Sequence, residues 1–173
     1  MRTAPFLLTH RSGLGQPTRV SDMMTTTPAE AGPPDPELVF SKFETELQVR
    51  PDDIDMYQHV HSSRYMDYVL AARFDQMERC YKMPMSEFQQ HGFGWYMVGT
   101  QMNFRLALGL GEHFIVRTWI EKFSLIGLRV QFQIDRKSDG RRCCDGWFDY
   151  VMVSLETARA VRIPEWIRVK YSI

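Results

Sequence analysis

The stretch from Asp52 to Met83 contains neither glycine nor proline. Within it, large apolar side chains recur at spacings of four, four, three and four residues, at Met66, Leu70, Phe74, Met77 and Tyr81. This period predicts an amphipathic helix of about four or five turns. Ser62 or Ser63 can cap its start, because a serine oxygen accepts hydrogen bonds from the first helical N–H groups. One apolar helix face must pack on another layer of structure.

Alternating apolar and polar residues on both sides of this helix are typical of half-buried strands. One strand is predicted before the helix, at residues 43–50. Three or four strands are predicted after it, at residues 96–106, 114–122, 126–135 and 143–155. Two glycine-containing segments predict turns between them, at 109–111 and 138–140. Pro164 can open a short terminal helix.

This order of elements predicts an α+β fold, in which a curved antiparallel sheet wraps around one long central helix. Such a sheet covers the apolar face of the helix. A lone protomer would leave a strand edge unpaired, and an unpaired edge is prone to association. Pairing two such edges gives a two-fold symmetric dimer.

Composition excludes several classes of protein. The chain has 21 Lys+Arg against 21 Asp+Glu, for a formal net charge of zero, which argues against an extended basic nucleic-acid binder. It has no run of about 18 apolar residues, so no transmembrane helix is expected. The three cysteines are odd in number and include the adjacent pair Cys143 and Cys144, which favours reduced thiols and a cytoplasmic location. The histidines and cysteines form no metal-binding array.

The N-terminal segment differs from the rest of the chain. Residues 1–37 hold six of the nine prolines and little apolar sequence, which predicts a disordered tail before a folded domain at 38–173. Residues 1–21 lack acidic side chains and faintly resemble a transit peptide. The favoured interpretation is an unstructured tail, or a true start of the protein at Met23 or Met24.

The segment between the first predicted strand and the helix carries the carboxylates of Asp53 and Asp55 and the imidazoles of His59 and His61. Exposed N–H groups at a helix start can stabilise an oxyanion. A carboxylate beside them can act as a nucleophile or as a base for water. The spacing alone also fits structural roles, since aspartate is common in turns and helix caps.

The pattern Asp53-x-Asp55-x-x-x-His59-Val60-x-x-x-x-Tyr65, followed by a long helix, resembles the 4-hydroxybenzoyl-CoA thioesterase-like group of hotdog-fold acyl-CoA thioesterases. The resemblance covers about residues 40–170. It implies the hotdog fold and hydrolysis of an acyl-CoA or acyl-carrier thioester. It also implies no cofactor beyond the coenzyme A of the substrate, and a homodimer or homotetramer with active sites between protomers.

The resemblance assigns roles residue by residue. Asp55 corresponds to the catalytic carboxylate, and Asp53 to the aspartate that supports the loop. His59 corresponds to the motif histidine, Tyr65 to an aromatic residue of the first helical turn, and Arg73 to a frequent helix arginine. The chain departs from the usual motif at three positions, with glutamine in place of glycine at 58 and His-Ser in place of Asn-Asn at 61 and 62. The acidic residue often found just before the helix arginine is absent.

These assignments give a mechanistic hypothesis. The thioester carbonyl is expected to lie against the N–H groups of Val60, His61 and Ser62, while Asp55 attacks it or activates water. His59 can orient the loop or the water. Trp95 and Tyr96 are candidates for the wall of an acyl or aryl pocket.

Two alternatives remain open from the sequence. One is a non-catalytic hotdog module that binds acyl-CoA. The other, ranked lower, is a hotdog dehydratase or hydratase acting on hydroxyacyl or enoyl thioesters.

Overall fold

Five antiparallel strands form one sheet in the computed structural model, which describes residues 40–173. The strands are β1 (Phe43–Gln48), β2 (Phe93–Phe104), β3 (His113–Phe123), β4 (Gly127–Arg136) and β5 (Arg142–Ser154). Their order across the sheet is β1-β3-β4-β5-β2. The helices are α1 (Arg64–Arg79), α2 (Met85–Gln90) and α3 (Glu165–Tyr171). This arrangement confirms the predicted α+β fold, whereas the predicted tail at 1–37 lies outside the described residues.

The sheet order leaves β1 and β2 at the two edges. Strand β2 is 12 residues long and pairs only with β5 among the described strands. Three of its large apolar side chains are exposed, namely Tyr96, Val98 and Phe104. The unpaired edge of β2 therefore combines free main-chain hydrogen-bonding groups with an apolar surface.

Helix α1 packs against β1 and β3, but its buried face differs from the predicted one. The buried apolar residues of the helix are Tyr65, Tyr68, Val69, Ala72 and Met77. Phe74, which the spacing placed on the core face, is 54% exposed. The prediction of the helix is confirmed, whereas the prediction that Phe74 faces the core is wrong.

Two polar residues join α1 to the sheet. Gln76 is fully buried, and its Nε2 donates to the carbonyl oxygen of Val116 at 3.3 Å and to that of Phe43 at 3.3 Å. Arg73 donates from a terminal guanidinium nitrogen to Thr118 Oγ1 at 3.1 Å. Buried polar groups need such partners, so these contacts fix how the helix is rotated on β1 and β3.

Helix α2 was not predicted from the sequence. Its six residues, between Pro84 and His91, are too few for a helical period to be recognised. Phe88 is the residue that anchors it, because the side chain is wholly buried among the apolar residues at the C-terminal end of α1. Within residues 40–173, no helix has the length and apolar character required to cross a membrane.

We predict that Gly146→Ala destabilises the protein by about 2 kcal/mol or more, because overpacking forces the main chain to shift. A Cβ at position 146 would lie 1.9 Å from the carbonyl oxygen of Gln101 on β2. Gly99→Ala is the matched control, since its Cβ would meet nothing closer than 3.6 Å. Urea unfolding measures both variants, and equal stabilities would contradict the observed pairing of β2 with β5.

Candidate active site

A closed loop precedes α1 and carries the predicted catalytic residues. The loop begins after a short 3-10 turn at Pro51–Asp53, and an antiparallel bridge joins Ile54 to Val60 across its base. The Asp55 N–H donates to the His59 carbonyl at 2.8 Å. These main-chain contacts hold the residues between the bridge partners in a tight turn.

Gln58 occupies a left-handed backbone conformation in this turn, with φ at 62°. That conformation costs an L-residue on the order of 1 kcal/mol and suits glycine best. The related motif usually has glycine here, so the backbone of this loop retains a conformation that glycine favours. The substitution at 58 therefore adds strain to the turn.

The Asp55 side chain is half-buried, and the main chain of its own loop orients it. Its Oδ1 accepts hydrogen bonds from the N–H groups of Tyr57 at 2.8 Å and His59 at 3.3 Å. Among residues 40–173, no group donates a hydrogen bond to Oδ2. One carboxylate oxygen is thus held in place, while the other remains available to a ligand or to water.

Asp53 is buried and makes more contacts than Asp55. Its oxygens accept hydrogen bonds from Arg50 Nε at 2.9 Å and from the Tyr68 hydroxyl at 2.7 Å, and Arg64 Nε lies 3.4 Å away. The hydrogen bond from Arg50 is the main cause that lowers the pKa of Asp53, and it outweighs the opposing effect of burial. The carbonyl oxygen of Asp53 also accepts from the His61 N–H at 2.9 Å.

The expected oxyanion donors are largely engaged within the protein. The Val60 N–H donates to the Leu108 carbonyl at 2.9 Å, and the His61 N–H donates to Asp53. In the described part of the chain, the Ser62 N–H has no acceptor. Ser63 occupies the N-cap position, but its side chain makes no capping hydrogen bond. Two of the three expected donors are therefore occupied. At the helix start, the Ser63 N–H donates to His61 Nδ1 at 3.3 Å and the Arg64 N–H donates to the His61 carbonyl at 2.9 Å, so Ser62 is the expected donor that remains.

The two motif histidines are exposed. The His61 ring nitrogen Nδ1 lies 2.9 Å from Ser63 Oγ, which ties that ring to the helix start. The His59 ring makes no hydrogen bond with the described residues, and its main chain closes the turn. No group of three or more His, Cys, Asp or Glu within residues 40–173 could hold a metal ion.

Tyr65 lies below the loop in the core. Its hydroxyl accepts a hydrogen bond from the Leu108 N–H at 3.2 Å, and its ring packs edge-on against Phe104. Burial raises the pKa of Tyr65 to about 12. These contacts link α1 to the segment between β2 and β3, and a contact of Tyr65 with substrate stays a prediction.

The two aromatic pocket candidates do not share one pocket. Adjacent residues of a strand point to opposite faces. Trp95 packs against Phe88 and Tyr171, whereas Tyr96 is about half exposed on the other face. Trp95 also lies nine residues along β2 from Phe104, which corresponds to about 30 Å. Within one protomer, Trp95 is therefore far from the Asp55 loop.

Three supporting residues were not recognised in the sequence: Arg50, Tyr68 and Leu108. Arg50 stands three residues before Asp53, and this spacing is a local signal that could have been used. Tyr68 is 15 residues from its partner Asp53, and Leu108 is 48 residues from its partner Val60. Only the folded structure brings these pairs together.

Comparisons with known proteins place this chain among thioesterase-like proteins. A model of the Thioesterase-like superfamily matches residues 49–170, a range that contains all the predicted site residues. The long-chain acyl-CoA thioesterase FadM of Escherichia coli is 23% identical over 130 residues, which cover 73% of this chain and 95% of FadM.

Solved structures show the same fold. The hypothetical protein TT1821 from Thermus thermophilus is 29% identical and superposes with a TM-score of 0.69. The match covers 76% of this chain and 96% of the TT1821 chain. The 1,4-dihydroxy-2-naphthoyl-CoA thioesterase Slr0204 from Synechocystis is 15% identical with a TM-score of 0.69 and the same coverages, 76% and 96%. These likenesses confirm the predicted hotdog fold.

We predict that Asp53→Asn lowers the free energy of unfolding by about 2 kcal/mol at pH 7, since it weakens hydrogen bonds to a buried charged group. Because the pKa of Asp53 is lowered in the folded protein, its charged carboxylate stabilises the fold in full above the ordinary aspartate pKa of about 3.9. It is lost as the pH falls through the lowered pKa, because the wild-type carboxylate then takes up a proton. The stability difference between variant and wild type should therefore shrink in acid.

Urea unfolding at several pH values measures this difference. Asp52→Asn is the control, because the Asp52 side chain is 73% exposed and comes no closer than 3.8 Å to Arg50 Nε. Equal stability losses for the two variants at pH 7 would show that Asp53 does not hold the loop.

Proposed function

Because the chain belongs to the Thioesterase-like superfamily, we propose that it hydrolyses an acyl-CoA or related acyl-carrier thioester to a free acid and a thiol. The observation that carries this proposal is the carboxylate of Asp55 in the loop before α1, with Oδ1 fixed by two N–H groups and Oδ2 unpartnered among the described residues. The similarity to FadM, a long-chain acyl-CoA thioesterase, supports the same class of substrate.

Asp55 has two possible roles in this reaction. As a general base, Oδ2 takes a proton from water, and the hydroxide adds to the thioester carbonyl. The tetrahedral intermediate then expels the thiolate, which takes up a proton. As a nucleophile, Oδ2 forms an anhydride with the acyl group and expels the thiolate, and water then hydrolyses the anhydride. Both routes consume one water and yield one acid and one thiol.

The donor proposed for the oxyanion is the Ser62 N–H, together with the first turn of α1. The N-terminal end of a helix carries partial positive charge, which favours a developing negative oxygen. The absence of a capping hydrogen bond from Ser63 leaves N–H groups of this turn for a ligand. Preorganised donors of this kind are often the largest single contribution to catalysis.

A thioester makes this small set of groups sufficient. Its thiolate leaves without a dedicated general acid, so a carboxylate and an oxyanion donor can complete the reaction. We assign His59 the role of orienting the loop or the attacking water, since its main chain accepts from Asp55 and its ring is exposed beside it.

We predict that Asp55→Asn lowers kcat by at least about a hundredfold, the contribution expected of a positioned base. Asparagine keeps an oxygen that can accept from Tyr57 and His59, so the loop should retain its conformation. Thiol release from a panel of short, long and aromatic CoA esters gives the rate. Asp52→Asn is the matched control, because that carboxylate is exposed on the preceding turn.

The outcomes of this assay separate the candidate functions. Wild-type turnover by a folded Asp55→Asn variant would reject the catalytic role of Asp55. Thermal stabilisation of the wild type by acyl-CoA without thiol release would favour the non-catalytic binding module. An absorbance change on an enoyl-CoA without hydrolysis would favour a hydratase.

The free edge of β2 supports a homodimer or homotetramer with active sites between protomers. Exposed Tyr96 and Val98 lie on this edge strand, and an uncovered apolar edge is normally paired or protected. Free thiols at all three cysteines, two of them buried, fit the cytoplasmic location that we propose.

Light scattering at micromolar concentration should give a mass of at least two chains. Val98→Lys should shift the population towards monomer, because a lysine on an edge strand opposes pairing. Val169→Lys is the control, since Val169 is 61% exposed but belongs to α3 and not to the edge strand. A monomeric wild type would contradict the proposed assembly.

A further inference from the structure

A cavity lies beside the C-terminal half of α1, and no residue of the Asp55 loop lines it. Its volume is about 120 Å³. Phe74 lines it and is 54% exposed, so the cavity reaches the surface next to the helix. Its walls are largely apolar or aromatic, and they include Arg73, Phe74, Trp95 and Tyr171.

Arg73 is the one charged residue in this wall, and its charge is not neutralised. The side chain is 94% buried, since only 6% of the residue is exposed. Its one hydrogen bond within residues 40–173 goes to the neutral hydroxyl of Thr118, and no carboxylate of this part of the chain lies within 4 Å. The guanidinium group stands 5.4 Å from the centre of the Tyr81 ring. Arginine has five N–H donors, and a buried charge normally has an ionic partner.

A second donor in the same wall lacks a well-formed hydrogen bond. The Nε1 of Trp95 is buried and makes no hydrogen bond of good geometry with the described residues, although the Tyr171 hydroxyl lies beside it. The hydroxyl of Tyr81, beside the Arg73 guanidinium, likewise makes no well-formed hydrogen bond there. Buried polar groups in native proteins are nearly always hydrogen-bonded, so unpaired ones call for an acceptor that completes them.

We propose that this cavity binds a small organic acid, whose carboxylate meets the guanidinium of Arg73 and the Nε1–H of Trp95. The body of the ligand fills the apolar remainder of the cavity. An engineered apolar cavity of about 150 Å³ in another protein holds benzene, so a single ring or a short alkyl chain sets the size. The site is selective for anions, because a cation would meet an unneutralised guanidinium and an amide would offer it a neutral oxygen in place of a charged one.

Titration calorimetry with benzoate and hexanoate tests this site, with benzamide and hexanamide as uncharged ligands of the same shape. We expect the acids to bind the wild type at least about tenfold more tightly than the amides, since a hydrogen bond to a charged group exceeds a neutral one by this much. Arg73→Met should weaken acid binding at least about tenfold, and Trp95→Phe about fivefold. Arg79→Met is the matched control on the same helix, because Arg79 already pairs with Asp75.

Equal affinity of acids and amides for the wild type would overturn the proposal, as would the absence of acid binding. So would undiminished acid binding by a folded Arg73→Met variant. If that variant does not fold, Trp95→Phe decides, because it removes one donor and keeps the ring, and unchanged affinity would reject the site. None of these measurements needs turnover, so the site can fail while the proposed hydrolysis stands.

The acid can be a free metabolite or a second carboxylate at the far end of the acyl group of a bound thioester, because the first carboxyl is bonded to sulfur and carries no charge. Inhibition kinetics distinguish the two sources: competitive inhibition of thioester hydrolysis by benzoate, lost in Arg73→Met, identifies a carboxylated acyl group as the natural occupant. Calorimetric binding that leaves kcat and KM unchanged identifies a free acid.

Discussion

The buried carboxylate of Asp53 is the contact on which the geometry of the candidate site depends. Its carboxylate oxygens accept hydrogen bonds from Arg50, which follows β1, and from Tyr68 on α1. Its main-chain carbonyl accepts a hydrogen bond from the His61 N–H. Asp55 follows two residues later, after one extended residue, so its position is set from this anchor. A charged group buried with three donors is costly to disrupt, and this cost keeps a strained loop in one conformation.

The fold was predictable from the sequence wherever one side of an element faces the core and the other faces solvent. Strands β3, β4 and β5 follow their predicted bounds to within one or two residues. Strand β4 alternates between apolar and polar residues, whereas apolar runs bounded by turn residues marked β3 and β5. Helix α1 was predicted for the same reason, but its rotation was not. Periodicity treats Phe74 as a core residue and Gln76 as a surface residue, whereas the hydrogen bonds of Gln76 to Val116 and Phe43 turn the helix the other way.

The candidate site shows where such reasoning stops. The pattern of residues located Asp53 and Asp55, since two carboxylates before a helix form a local signal. It could not show which N–H groups are free, because the acceptor of the Val60 N–H is the Leu108 carbonyl, 48 residues away in the chain. The same limit applies to Arg73, whose lack of a carboxylate partner is a property of the folded core. Main-chain hydrogen bonds between distant segments carry no signature in residue type.

The spacing of Asp55 and Arg73 constrains how the two proposed sites can be related. Asp55 precedes the first turn of α1, and Arg73 lies nine residues after the helix begins at Arg64, which is a rise of about 14 Å. A single-ring acid held by Arg73 is too short to reach Asp55 of the same protomer. If the cavity receives a distal carboxylate on the acyl group of a substrate, that acyl group must either be long or enter from the active site of a neighbouring protomer across the free edge of β2. A short free acid can bind without a long acyl group and without a neighbouring protomer. The length of the acyl group and the assembly of protomers therefore decide whether the cavity takes part in the hydrolysis.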